Sequence, residues 1–160
     1  MSISFLPIGT IFTPFKSKEG MPIQSRLAKG AKGRIELKEE FVPGLLDLDG
    51  FSHIILVYYF HESKNFELQV EPFLENKKHG VFATRAPKRP NAIGMSVVKL
   101  LRIDNNILEV ENIDVLDGTP LLDIKPYIPQ FDIHQVEKSG WIEDKEDDMK
   151  DIQSDDRFDK

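Results

Sequence analysis

Seven short apolar segments, separated by turn residues, constrain the fold of this chain more than any other feature. Three of them, at residues 33–37, 95–103 and 107–113, alternate between apolar and polar side chains, and turn residues recur between the segments. Such alternation is typical of half-buried β-strands, whereas an amphipathic helix repeats its apolar residues every three or four positions. The strands are predicted at residues 3–12, 33–37, 53–61, 80–84, 95–103, 107–113 and 121–127.

The segment between His53 and His61 is the strongest of these strand signals. Seven consecutive apolar residues, rich in β-branched and aromatic side chains, lie between the two histidines. They favour a central strand and are far too few to cross a bilayer as a helix. Asn105 and Asn106 separate two alternating segments, and asparagine tolerates the left-handed backbone of a tight hairpin. The sequence therefore predicts an all-β protein with little helix, either a barrel or a sandwich.

Composition excludes several classes of protein. The 160 residues suit one domain with a tail, and the absence of cysteine excludes a disulfide scaffold and cysteine-based zinc sites. The four histidines lack metal-ligand spacing, so we expect no metal. The first residues lack the basic and apolar regions of a signal peptide. These features favour a cytoplasmic protein that does not enter a membrane.

Charge is distributed unevenly along the chain. The net charge is −6, yet residues 76–103 contain seven Lys or Arg and no acid. Residues 143–160 contain nine acids and four bases, with little apolar content. We therefore predict a barrel domain over residues 1–136 and an acidic, flexible tail over residues 137–160. An acidic average does not exclude an anionic partner, because attraction depends on the local potential.

The basic stretch contains a loop in which Pro87 and Pro90 stiffen the backbone. Arg85, Lys88 and Arg89 are expected to be displayed to solvent there, with little ordering entropy left to lose. Guanidinium groups suit phosphate or carboxylate ligands. From the pattern alone, an ordinary solvated loop explains these charges equally well.

Two further places carry residues that a plain barrel does not need. His61 and Glu62 lie at the end of the central strand, and the ends of strands lead into surface loops where sites are common. Asp123, Lys125 and Tyr127 share one strand face at a spacing of two. A solvent-facing stripe is the simpler explanation for those three residues.

Two long segments resemble the TsaA-like (TrmO) family. They are GVFATRAPKRPNAIGMSVVKL at residues 80–100 and DVLDGTPLLDIKPYIP at residues 114–129. FSHIILVYYFHE at 51–62 and PIGTIFTPF at 7–15 also match the family pattern in order. The resemblance covers about residues 5–132. It implies a single-sheet β-barrel that forms a homodimer, with the cofactor near the subunit interface. It also implies an S-adenosylmethionine-dependent methyltransferase acting on N6 of threonylcarbamoyladenosine beside the tRNA anticodon.

The resemblance also implies a set of site residues. The cofactor site carries over onto Pro22, Ile23, Gln24, His61, Glu62, Arg85, Met95, Asp117, Gly118, Thr119 and Pro120. The family often has Arg at the position of Ile23 and Gln at that of Glu62. Asp117 and Tyr127 are candidates for the catalytic base, and the anionic substrate suggests tRNA contacts from Arg85, Lys88, Arg89 and Lys125. Two alternatives stay open: a non-enzymatic RNA-binding barrel, and a methyltransferase for a small molecule.

Overall fold

The fold is a closed antiparallel barrel. In the computed structural model, which describes residues 1–23, 27–145 and 149, the strands are β1 (Gly9–Phe12), β2 (Lys32–Leu37), β3 (His53–Tyr59), β4 (Gln69–Val70), β5 (His79–Gly80), β6 (Ile93–Asp104), β7 (Ile107–Glu111) and β8 (Thr119–Pro126). Six of them close in the order β1-β2-β7-β6-β3-β8, while β4 and β5 form a separate two-stranded sheet. The all-β prediction is confirmed, and the architecture is a barrel and not a sandwich.

Among residues 1–23 and 27–145, helical structure is limited to short turns. The 3₁₀ helices are Glu39–Leu45, Leu48–Gly50, Val81–Ala83 and Gly140–Ile142, and the α-helix α1 is Pro129–Asp132. Within the described residues, no helix has the length and apolar character needed to span a bilayer. The strand predicted at residues 80–84 is wrong. The chain turns there because the Thr84 hydroxyl and amide both donate to the Val81 carbonyl, at 2.9 and 3.1 Å.

The core lies inside the barrel and follows the pleat of the strands. On β3, Ile54, Leu56 and Tyr58 point inward and are buried, while the residues between them face outward. Each fully buried aliphatic side chain contributes about 1.5–3 kcal/mol through removal of its surface from water. The other inward residues are Ile11, Ile35, Leu37, Val98, Leu108, Val110, Ile113, Val115 and Leu121.

The hairpin between β6 and β7 forms as the sequence predicts. Asn105 has a φ of 52°, which lies in the left-handed region that asparagine tolerates. Asp104 pairs with Ile107 across the turn, and Ile103 pairs with Leu108. The hairpin therefore fixes the register of the two strands.

The outer surface of β3 and β6 carries a face of apolar side chains. The register pairs Ile55 with Val97, Val57 with Met95 and Tyr59 with Ile93. Tyr59 and Met95 are 42 and 54 % exposed. We call these six residues the β3–β6 outer face. A continuous apolar strand run thus serves two purposes, because one side fills the barrel and the other meets solvent.

Candidate active site

A cavity of about 920 Å³ opens at the end of the barrel where β3 ends and β8 begins. Its size lies in the range of small-molecule sites. The barrel contributes the floor, and loop segments from several parts of the chain contribute the walls. The lining includes Met21, Pro22, Ile23, Tyr58, Phe60, His61, Glu62, Phe73, Arg85, Met95, Asp114, Leu116, Thr119 and Trp141.

A chain of hydrogen bonds crosses the cavity floor. The Ser96 hydroxyl donates to Asp114 Oδ1 at 2.5 Å, so its oxygen is left to accept from the Tyr58 hydroxyl at 2.9 Å. Tyr58 and Ser96 are buried, whereas Asp114 lines the cavity. Burial, followed by the charge of Asp114, raises the pKa of Tyr58 far above its usual range. Tyr58 is therefore a neutral donor, and the carboxylate sits at the cavity end of the chain.

Gly94 makes this floor possible. It pairs with Tyr58 across β3 and β6, and the Tyr58 ring meets the Phe60 ring edge to face at 5.5 Å. A Cβ atom at position 94 would lie 2.2 Å from Tyr58 Cε2 and 2.7 Å from Phe60 Cζ. Only glycine lets the tyrosine ring lie against the β6 backbone here.

His61 connects the end of β3 to the start of β8. The Thr119 hydroxyl donates to the Leu116 carbonyl at 2.7 Å, and its oxygen lies 3.3 Å from His61 Nδ1. His61 Nε2 lies 3.8 Å from Glu62 Oε1. These contacts orient the imidazole at the cavity wall, next to an exposed carboxylate.

The basic loop directs two of its three cations inward. Arg89 Nη1 donates to the carbonyls of Val81, Thr84 and Ala86 at 2.8–3.3 Å. Lys88 is 7 % exposed and pairs with Glu67 at 3.0 Å. The prediction that Lys88 is displayed to solvent is therefore wrong. The Arg89 guanidinium donates to backbone carbonyls of its own loop. Arg85 is exposed and lines the cavity.

Asp117 joins the turn before β8 to the segment that follows β1. Its Oδ1 accepts from the Thr13 amide at 2.9 Å, and its Oδ2 accepts from Lys16 Nζ at 2.5 Å. Lys16 and then Thr13 hold the pKa of Asp117 below its usual value. Gly118 supplies the turn with a φ of 76°. Asp117 and Gly118 are absent from the described lining of the cavity, as is Pro120.

Tyr127 and Lys125 lie toward the other end of β8. The Tyr127 amide donates to the His53 carbonyl, and Lys125 pairs with Asp123 at 2.8 Å on the outer surface. Lys125 lies six positions along β8 from the cavity residue Thr119, a distance of about 20 Å at the usual rise of a strand. The structure thus does not bring these two candidates to the cavity.

The structure does bring most of the predicted cofactor set to one place. Pro22, Ile23, His61, Glu62, Arg85, Met95 and Thr119 all line the cavity, and Gln24 lies outside the described residues. Sequence reasoning missed Tyr58, Asp114 and Trp141. Asp114 begins a segment that the motif comparison did mark, whereas Trp141 had no signal beyond being the single tryptophan. In the described part of the chain, no three His, Asp or Glu side chains converge as a metal site would require.

A closed barrel with a largely apolar cavity of this size defines the class of barrel proteins whose cavity suits a small organic ligand. The chain belongs to the family described as the tRNA-methyltransferase O N-terminal domain, whose model matches residues 10–133. This confirms the family expected from the motifs.

Three relatives illustrate the range of this similarity. A "probable S-adenosyl-L-methionine-binding protein" of Pyrococcus abyssi is 49 % identical over 158 residues, which is 99 % of this chain and 86 % of that protein. The "tRNA (adenine(37)-N6)-methyltransferase" of Mus musculus is 35 % identical, over 81 % of this chain but 32 % of its own length. The crystal structure of TrmO from Pseudomonas aeruginosa superposes with a TM-score of 0.74 at 40 % identity. That match covers 88 % of this chain and 63 % of the other.

Proposed function

We propose that this protein binds S-adenosylmethionine in the cavity and methylates N6 of an adenine in tRNA. The observation that carries the proposal is the convergence of separate chain segments on one cavity. These segments, around residues 22, 61, 85, 95 and 119, are those in which the family resemblance expects the donor site. Relatives named as S-adenosylmethionine-binding proteins and as a tRNA adenine methyltransferase support the same function.

The residues of the cavity fit this donor chemically. Met21, Phe60 and Leu116 provide apolar surface for an adenine ring and an aliphatic chain. Among the described lining residues, the carboxylates are Glu62 and Asp114, which offset a positive charge. When bound, S-adenosylmethionine supplies a methyl group activated by its sulfonium.

We assign proton acceptance to Asp114. The acceptor nitrogen of a modified adenine must lose its proton, and a carboxylate in the cavity can take it onto an oxygen. Glu62 has a side chain that is 57 % exposed, whereas Asp114 is fixed by Ser96 at the floor. Asp117, predicted as a candidate base, is held by Lys16 and Thr13 away from the cavity. Asp114 therefore combines position and order better than either alternative.

Substrate recognition follows from the rim of the cavity. Arg85 is exposed there and suits either a phosphate or the threonine carboxylate of threonylcarbamoyladenosine. Lys88 and Arg89 support recognition indirectly, because they hold the loop that presents Arg85. We infer that tRNA carrying this modified adenosine is the substrate, and that the target base enters the cavity from this side.

The β3–β6 outer face supports a homodimer. Ile55, Val57 and Val97 present apolar side chains on the outside of a barrel that already has a filled core. Ion pairs flank the face: Asp123 with Lys125 on β8, and Lys99 with Glu111 across β6 and β7. An apolar patch with a polar rim is typical of a protein interface. Since Met95 belongs to both the face and the cavity, a second copy would lie beside the donor site.

Two measurements test this function. Calorimetry with S-adenosylmethionine distinguishes a methyltransferase, whether for tRNA or for a small molecule, from a non-enzymatic RNA-binding barrel. Mass spectrometry of tRNA nucleosides from a deletion strain then looks for loss of a methyl group on N6 of threonylcarbamoyladenosine. Donor binding with an unchanged nucleoside profile would instead identify a small-molecule methyltransferase, and no donor binding would contradict the proposal.

A further inference from the structure

Residues 139–145 fold back against the wall of the cavity. We call this segment the C-terminal clasp; it lies beyond the residues that the family model matches. The Trp141 indole Nε1 donates to the Ala83 carbonyl at 2.8 Å. The Trp141 ring stacks on the His79 imidazole, with centroids 4.5 Å apart and planes at 20°. Trp141 and Ile142 both line the cavity, so the clasp forms part of its wall.

Glu75 fixes the clasp at a second point. Its two carboxylate oxygens contact His79 Nε2 and Lys145 Nζ, and the same ammonium lies 5.7 Å from the centre of the Trp141 ring. Hydrogen bonds from Lys145 and then His79 hold the pKa of Glu75 below its usual range. The clasp is therefore fixed at both its tryptophan and its lysine.

The clasp contacts the chain close to Arg85, which lines the cavity. Ala83 ends the 3₁₀ turn Val81–Ala83, and Arg85 follows two residues later. Arg89 binds this turn through the Val81 carbonyl, while Trp141 binds it through the Ala83 carbonyl. The turn is thus held by a guanidinium within the loop and by an indole from the clasp.

We propose that Trp141 is a positioning residue for the donor, because the seated clasp fixes the Val81–Ala83 turn and completes the cavity wall. The inference rests on the proposed function. A wall that is ordered before binding leaves less conformational entropy to lose when the donor enters. Loosening the clasp should therefore raise the KM for the donor and speed its dissociation, with little change in kcat.

Trp141 reports on its own contacts, because it is the single tryptophan of the chain. S-adenosylhomocysteine is a suitable probe, since it has the adenosine and amino-acid parts of the donor and no transferable methyl group. We expect its addition to wild-type protein to change the tryptophan emission in a saturable way. Calorimetry should give the same dissociation constant.

Two variants test the contacts separately, and a third is their control. Trp141→Phe keeps an aromatic ring over His79 but removes the N–H that bonds to the Ala83 carbonyl. Lys145→Met removes the ion pair with Glu75. Each should weaken S-adenosylhomocysteine binding roughly three- to tenfold, the change expected for one lost hydrogen bond. Lys138→Met is the matched control, because Lys138 is an exposed lysine of the same region. Its affinity should equal that of wild type.

The melting temperature of each unliganded variant separates positioning from folding. Weaker binding by Trp141→Phe and Lys145→Met at an unchanged melting temperature, with an emission response in wild type, supports the proposal. If Trp141→Phe does not fold, Lys145→Met and the wild-type emission still decide. Equal affinities and an unresponsive emission would overturn the clasp but leave donor binding intact. A wild type that binds no ligand would overturn both proposals.

Discussion

Ser96 donates its hydroxyl hydrogen to Asp114 at 2.5 Å on the floor of the cavity. Because this bond fixes the carboxylate, Asp114→Asn should keep the shape of the site and lose the proton acceptor. We expect methyl transfer to tRNA to fall by about 10²- to 10⁴-fold, the usual contribution of a positioned base. Donor affinity should change much less. Glu62→Gln is the control, and an equal loss in both variants would argue against a special role for Asp114.

Arg89 and Arg85 should respond differently to truncation. Arg89→Ala removes one donor from each of three carbonyls, although the Val81 carbonyl keeps its two bonds from Thr84, so we expect a loss of about 1–3 kcal/mol in the free energy of unfolding. Arg85→Ala should instead lower the slope of log affinity for tRNA against log salt by about 0.7–0.9. Salt-titrated tRNA binding and denaturant unfolding of both variants check this pair. A reduced slope for Arg89→Ala alone would assign the phosphate contact to Arg89.

Gly94→Ala should disturb the cavity floor. The added Cβ would meet the Tyr58 ring, which cannot retreat inside a packed barrel, and overpacking of this kind costs about 1–3 kcal/mol. Urea unfolding measures the loss. Gly80→Ala is the control, because a Cβ there meets nothing within 4 Å and its φ of −58° suits alanine. Equal stability of the two variants would mean that Tyr58 can move aside.

Asp117 should make stability depend on pH. Lys16 and the Thr13 amide lower the pKa of Asp117 in the folded state, so its contribution is present above the unfolded pKa of about 4. That contribution is lost as the pH falls through the folded-state pKa. Asp117→Asn should therefore melt below wild type at pH 7, and the gap should close in acid. Asp49→Asn, at an exposed site, should show no such gap.

The β3–β6 outer face can be tested by a single charge. Val97→Lys places an ammonium in the middle of the face without touching the core, so we expect sedimentation analysis to show monomers. Leu101→Lys is the control on the same strand, where the side chain is 40 % exposed beyond the face. Dimers that persist in Val97→Lys would place the subunit contact elsewhere.

Local pattern predicted most of the barrel because strands and tight turns depend on near neighbours in sequence. The alternation around β7 and the asparagines of its hairpin specify their own structure. The prediction of a strand at residues 80–84 was wrong because a run of apolar residues does not reveal whether a neighbouring strand is available to pair with it. β5 has only the two residues of β4 to pair with, so the chain turns after His79–Gly80.

The site was less predictable because its contacts join distant parts of the chain. Glu67, the partner of Lys88, lies 21 residues earlier, and nothing in the basic loop reveals it. Asp114 lies between β7 and β8 and acquires its position from Ser96 on β6, 18 residues earlier. Family motifs indicated which segments meet, whereas the direction of each side chain depended on packing.

The barrel closes where Ile11 of β1 pairs with Thr119 of β8. During synthesis, β1 leaves the ribosome long before β8 exists, so the seam cannot form until about three quarters of the chain has emerged. Barrels dominated by such distant pairings fold in milliseconds to seconds. Until β8 has been synthesised and has paired with it, β1 presents an unpaired edge, which favours pairing with other nascent chains. Chaperone demand and aggregation should therefore be greatest for chains that stall or end before residue 119.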